Sequence, residues 1–195
     1  MARSELPVHP LINERYSPRA FSERDITNDE LVLLFEAARW APSSLNEQPW
    51  RFVIVRKGEK GHSAMLEAMN VSNRTWADKA PVVLLSLTRI TLERSGIPNP
   101  HARHDLGLAV AQLTVQATSL GIGLHQLGGI DAEKARNSFN VPPEYDVVSM
   151  LVLGFHGDPA DLPELLRDRE LRRSTRKPLD DLLHYGSFGQ EHKSR

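Results

Sequence analysis

No regular helix or strand can run through Pro42-Ser43-Ser44-Leu45-Asn46-Glu47-Gln48-Pro49-Trp50. Prolines at both ends remove backbone donors, and the short polar side chains of Ser43, Ser44 and Asn46 compete with regular backbone pairing. The chain must make a shaped loop here. Upstream, Thr27-Asn28-Asp29-Glu30 has the pattern of a capping box, in which Thr27 accepts a backbone N–H and Glu30 reaches back. Leu31, Leu34, Phe35 and Ala38 continue it at helical spacing until Pro42 ends the helix. Downstream, Phe52-Val53-Ile54-Val55 within Arg51 to Lys57 predicts a buried strand. Taken alone, the loop is equally an ordinary helix-to-strand connection.

The rest of the chain alternates in the same way. Gly58 to Asn70 predicts a helix, and Val82 to Leu87 a central strand whose length favours β over α. His104 to Leu120 predicts a long helix with Leu106, Val110, Leu113, Ala117 and Leu120 on one stripe and Leu108, Ala111 and Val115 on other faces. A helix apolar on several faces is buried all round, so it either crosses the centre of the domain or packs on a second subunit. Ile122 to Gln126 predicts a short strand, Asp131 caps a helix through Phe139, and Asp146 to Gly154 is the last strong strand. The basic run from Arg167 to Lys177 and the core-poor end from Tyr185 to Arg195 predict an arm rather than a second domain. Strands alternating with helices give a single domain, 1–195, of layered α/β type.

Composition removes several function classes. A net charge of -1 provides no global field for nucleic acid or an anionic membrane, so any anion site must be local. The absence of cysteine excludes disulfides, thiolate nucleophiles and cysteine-based metal sites, and suits a reducing cytoplasm. No stretch approaches the roughly 20 apolar residues of a membrane span, and the first ten residues hold no apolar signal segment.

Few residues suggest chemistry by themselves. Arg15 and Arg19 flank Ser17-Pro18, two guanidiniums beside a hydroxyl at a turn, a composition suited to phosphate oxygens or simply to a solvated surface. His101, His104 and Asp105 have helix-like spacing for a metal trio, but no further ligand is identifiable and Asp105 suits a helix N-terminus for ordinary electrostatic reasons. Ser43 and Ser44 lack the Gly-x-Ser-x-Gly elbow of a hydrolase. Neither a Rossmann nor a P-loop glycine pattern is present. Trp40, Trp76 and Phe188 are candidates for a substrate pocket, or for packing.

Four segments, in order and at matching distances, carry a resemblance. Arg15-x-Ser17-x-Arg19-x-Phe21, Pro42-Ser43-x-x-Asn46-x-Gln48-Pro49-Trp50, Gln126-Leu127-Gly128-Gly129 and Arg176-Lys177-Pro178-Leu179 resemble the nitroreductase family of FMN-dependent oxidoreductases, over about Pro10 to Tyr185. The resemblance implies an α/β (α+β) fold with a mixed central sheet sandwiched by helices, in an intertwined homodimer with an exchanged C-terminal arm at about 178–195. It also implies FMN at the dimer interface. Arg15, Tyr16, Ser17, Arg19 and Arg176 would hold its phosphate and ribityl chain, with Arg173 as a helper. Pro42, Ser43, Ser44 and Asn46 would lie against the flavin, while Gln48 and Trp50 support the loop. Asn73 would meet the pyrimidine edge, and Gln126, Leu127, Gly128 and Gly129 would bring a backbone donor near N5.

By the same resemblance NADH or NADPH delivers hydride to flavin N5, and a nitroaromatic, quinone or related small acceptor then takes the electrons in a ping-pong cycle. The chemistry is carried by the flavin, with no metal and no side-chain acid or base assigned. A dehalogenase-like or flavin-consuming enzyme of the same fold, or a non-catalytic FMN-binding module, are the alternatives.

Overall fold

The computed structural model describes residue 4, residues 6–172 and residues 174–190. In chain order the elements are α1 (Pro10–Glu14), α2 (Asn28–Arg39), β1 (Trp50–Arg56), α3 (His62–Glu67), α4 (Val71–Ala77), β2 (Val82–Arg89), α5 (Ala102–Ser119), β3 (Ile122–Leu127), α6 (Ala132–Ser138), β4 (Tyr145–Phe155) and α7 (Glu164–Leu171). The strands form one sheet in the order β1-β2-β4-β3, and each of the three pairings is antiparallel. The mixed α/β architecture is therefore present, with the strands of this chain running in antiparallel pairs.

Helices cover both faces. On one, α2 and α5 bring Leu31, Leu34, Leu106, Val110 and Leu113 against Val82, Leu84, Leu151 and Leu153. On the other, Met65, Ala68, Trp76 and Ala135 from α3, α4 and α6 meet Val83, Leu85, Met150 and Val152. β2 is buried on both faces from Val82 to Thr88, which explains its unbroken apolar sequence; each fully buried leucine contributes about 1.5–3 kcal/mol.

The capping box forms as the sequence predicts. Thr27 Oγ1 accepts the Glu30 N–H at 3.2 Å, and the Glu30 carboxylate accepts the Thr27 N–H at 2.8 Å. Other expectations change in tertiary context. β1 is an edge strand rather than a buried one, with Val55 inside and Arg51 and Ile54 exposed. The helix expected from Gly58 shrinks to α3 because Gly58 and Gly61 hold φ values of 78° and 98°, a left-handed turn that delays its start. Within one chain α5 is not buried all round, since Ala111 and Val115 are exposed. The basic run contains a helix the sequence reading left out, α7, which begins after Pro163.

Candidate functional site

The segment 15–21 crosses the sheet beside β3, where the antiparallel order leaves an open edge. Pro18 is buried against Gly123, and a Cβ at that glycine would stand 2.4 Å from Pro18 Cγ, so the absence of a side chain there lets the segment approach. Phe21 anchors the other end, buried and stacked on Trp76 at 6.2 Å between ring centroids. The peptide between Pro18 and Arg19 is held on both sides. His125 Nδ1–H donates to the Pro18 carbonyl at 2.9 Å, and the Arg19 N–H donates to Glu170 Oε2 at 2.9 Å. Burial pushes the His125 pKa down to about 4, leaving a neutral ring whose proton sits on the nitrogen facing Pro18.

This anchoring places Arg15 and Ser17 at the mouth of a cavity of about 420 Å³, together with Gln126 from β3 and Arg176 from the C-terminal segment. Thr114 and Val115 of α5 and Leu124 of β3 complete much of its wall. The cavity offers two permanent cations, a hydroxyl and an amide over an apolar floor, a donor set suited to a phosphate ester attached to a less polar body. Arg15 and Arg176, from opposite ends of the chain, line the same cavity.

Arg19 does not line this cavity. Side chains alternate along a strand, so Leu124 and Gln126 face the cavity and His125 faces the opposite side. Arg19 lies with His125 on that side, its guanidinium 6.0 Å from the Trp76 ring centroid. Burial lowers its pKa, the Glu170 carboxylate opposes that shift, and Arg169 adds to it. Tyr16 also leaves the cavity wall and stacks on His156 at 4.9 Å, its hydroxyl 2.9 Å from His156 Nδ1. The three arginines named together from sequence thus divide into a pair at the cavity and one across the strand.

The loop after α2 is strongly shaped. Leu45, Asn46 and Gln48 all have positive φ, at 53°, 56° and 47°, which costs non-glycine residues energy and requires anchors. Ser43 Oγ accepts the Gln48 N–H at 3.0 Å, and the buried Asp105 carboxylate accepts the Ser44 N–H at 3.1 Å. Asp105 therefore serves the loop, and among the described residues no group of three or more His, Asp or Glu side chains is placed to hold a metal. Trp50 is buried beneath the loop, while Pro42 and Asn46 are exposed and Ser43 and Ser44 partly so. These four do not line the cavity of their own chain; they sit at the start of the helix whose middle forms its wall.

At the end of β3, Gly128 and Gly129 meet the start of α4. The Asn70 N–H donates to the Gly129 carbonyl at 3.1 Å, and the Asn73 N–H donates to Asn70 O at 2.9 Å, which brings Asn73 to the glycine corner. A Cβ at Gly129 would lie 2.4 Å from Asn70 Nδ2, whereas one at Gly128 would meet nothing within 4 Å. Outside the sheet ladders, no backbone carbonyl among the described residues accepts from the N–H of either glycine. The Gly128 backbone is therefore exposed and open to close approach. Leu127 is buried in the core and supports this corner rather than lining the cavity.

Asn70, His125 and Glu170 are the residues that sequence reasoning missed. Nothing in their local sequence distinguishes them; each acts through a partner distant in the chain. Arg173 lies outside the described residues. Trp76 is core, while Trp40 and Phe188 are 72% and 91% exposed.

Comparison with known proteins places this geometry in context. The model of the Nitroreductase family matches residues 12–75 and 62–155. A crystal structure of an oxidoreductase containing FMN superposes with a TM-score of 0.91 at 34% identity, covering 97% of this chain and 96% of that one. A protein of Archaeoglobus fulgidus provisionally named NADH dehydrogenase/NAD(P)H nitroreductase is 30% identical over 79% of this chain and 88% of its own length. An iodotyrosine deiodinase of Thermotoga neapolitana is 26% identical over 78% of this chain and 90% of its own.

Proposed function

The chain belongs to the nitroreductase family, and from that premise we propose that it works as a homodimeric oxidoreductase using FMN and NAD(P)H, with the cavity beside β3 as the seat of the flavin phosphate. The observation that carries this reading is the meeting of Arg15 and Arg176 beside Ser17 and Gln126 in one cavity. Bound there, FMN would supply the redox chemistry, taking hydride from NADH or NADPH at N5 and passing electrons to a small acceptor in a ping-pong cycle.

The protein's part is to bind and orient. Arg15 and Arg176 neutralise the phosphate, and Ser17 and Gln126 add neutral hydrogen bonds. Gly128 offers its one backbone N–H without obstruction at its own Cα, with Asn73 near that corner through its bond to Asn70. Arg19, across the strand from the cavity, does not join Arg15 and Arg176 at the phosphate within one chain. No titrating side chain needs to transfer a proton for binding or orientation.

The dimer explains two features of the single chain. α5 leaves Ala111 and Val115 exposed, with Val32, Leu33, Trp40 and Leu45 also open on neighbouring elements. A second copy would bury this apolar surface and bring its loop 42–46 toward the cavity. The exposed Leu179, Leu182, Leu183, Tyr185 and Phe188 fit an arm from about 178 that packs on the partner. Among the described residues no helix is long and apolar enough to cross a membrane; dependence on NAD(P)H favours a cytoplasmic setting.

The acceptor is a nitroaromatic, a quinone or a related small molecule; the deiodinase relative keeps reductive dehalogenation as the second reading. The test is the visible spectrum of the purified protein, then anaerobic titration with NADH and with NADPH, followed by a nitroaromatic, a quinone or an iodophenol. Flavin absorbance bleached by a nucleotide and restored by one acceptor is expected. A protein that takes up no FMN, or whose flavin neither nucleotide reduces, overturns the proposal.

A further inference from the structure

We infer that Glu170 and His125 are positioning residues for the cofactor turn, which they hold by gripping opposite sides of the Pro18–Arg19 peptide. The inference rests on the reading of the neighbouring cavity as the phosphate seat. In a trans peptide the C=O and N–H point in opposite directions, and no cis peptide occurs among the described residues. His125 on β3 takes the carbonyl at 2.9 Å and Glu170 on α7 takes the N–H at 2.9 Å, so the plane cannot rotate without breaking one bond.

The neighbouring torsions are restricted as well. The Pro18 ring fixes its own φ, and the ring is packed against Gly123. With the peptide plane, the proline ring and Phe21 all fixed, the direction in which Ser17 and Arg15 leave the turn is set. The grip thus determines where the Arg15 guanidinium and Ser17 hydroxyl stand at the cavity.

Glu170 has a second consequence. It is the buried residue of α7, which otherwise presents a largely polar surface and packs on the core through the partly buried Leu166. The chain leaving α7 reaches the cavity at Arg176. One carboxylate therefore fixes the N-terminal turn and the departure point of the C-terminal segment, placing the two basic arms of the phosphate site relative to each other. An apolar residue at 170 would leave the Arg19 N–H without its acceptor and α7 without its attachment.

The test is a double-mutant cycle on the FMN-reconstituted dimer, read as the FMN dissociation constant, with thermal melting of the apoprotein alongside. Glu170→Ala is expected to weaken FMN about tenfold or more, the scale of a lost hydrogen bond to a charged group. Glu170→Gln keeps an acceptor for the Arg19 N–H and is expected to retain most of the affinity. In a background carrying both Arg15→Ala and Arg176→Ala, Glu170→Ala should cost much less than in wild type, because the two charged groups it positions are gone.

Unchanged affinity in Glu170→Ala, a Gln variant as weak as the Ala variant, or the same fold-loss with and without the two arginines would overturn the inference. If Glu170→Ala does not fold, Glu170→Asp replaces it: its shorter reach should weaken FMN where Gln does not, and equal affinity in the two overturns the idea. Wild-type protein that takes up no FMN would overturn the cofactor reading itself, whereas FMN uptake insensitive to residue 170 removes the positioning role alone.

Discussion

Arg15 and Arg176, from opposite ends of the sequence, line the same cavity, with Ser17 and Gln126 between them and the apolar wall of α5 behind. An anion bound there would meet two guanidiniums at once. Arg15→Ala and Arg176→Ala should each weaken FMN by about tenfold to a hundredfold, while apoprotein stability stays within about 1 kcal/mol of wild type. Titrating stripped protein with FMN and melting the same samples checks both halves; unchanged affinity in both variants would remove the phosphate assignment.

Gly128 and Gly129 should separate by mutation although they are adjacent. A Cβ at 128 has open space within the chain, so Gly128→Ala should leave the apoprotein melting point nearly unchanged yet weaken FMN or shift its reduction potential. At 129 the new methyl must displace Asn70, so Gly129→Ala should also lower apoprotein stability. Identical behaviour of the two variants in both measurements would contradict this division.

His125 makes stability depend on pH. Its folded-state pKa, about 4, lies below the ordinary value of 6.5, so as pH falls the unfolded chain takes up the proton first. The stability held by the neutral ring is present above about pH 6.5 and is lost as pH falls toward 4, by up to about 3 kcal/mol in total. His125→Gln keeps a donor for the Pro18 carbonyl without titrating. Urea unfolding near pH 7 and near pH 5 should therefore show a smaller loss for the variant than for wild type, and parallel losses would argue against a buried neutral His125.

Val115 tests the dimer. It is 42% exposed on α5, one turn from the exposed Ala111 and at the rim of the cavity it helps to line. Val115→Glu would place an unpaired carboxylate in the proposed interface, where desolvation opposes association. Sedimentation should move from dimer to monomer with loss of bound FMN; wild-type protein that sediments as a monomer at micromolar concentration would refute the assembly.

The loop depends on one carboxylate. Asp105→Asn keeps an acceptor oxygen for the Ser44 N–H and should retain most of the anchoring, whereas Asp105→Ala removes the acceptor and should free the strained Leu45–Asn46 backbone at a cost of about 1–3 kcal/mol. Proteolysis within residues 43–48 should accelerate in the Ala variant and much less in the Asn variant. Resistance equal to wild type in the Ala variant would mean that the loop is held by other contacts.

What the sequence alone determined is the local and the chemical. The capping box at Thr27, the unbroken apolar run of β2 and the stop before Pro42 were legible, because capping and burial leave patterns within a few positions; Arg15, Ser17, Gln126 and Arg176, marked out by the family's motifs, line one cavity. Tertiary structure alone decided that β1 lies at an edge, that Arg19 stands across β3 from the other two arginines, and that His125, Glu170 and Asn70 hold the site in place. The physical reason is that strand order and long-range hydrogen bonds depend on which distant segments come together. A carboxylate that grips a backbone N–H from the far end of the chain leaves no periodicity, spacing or composition beside it by which a reader of the sequence could find it.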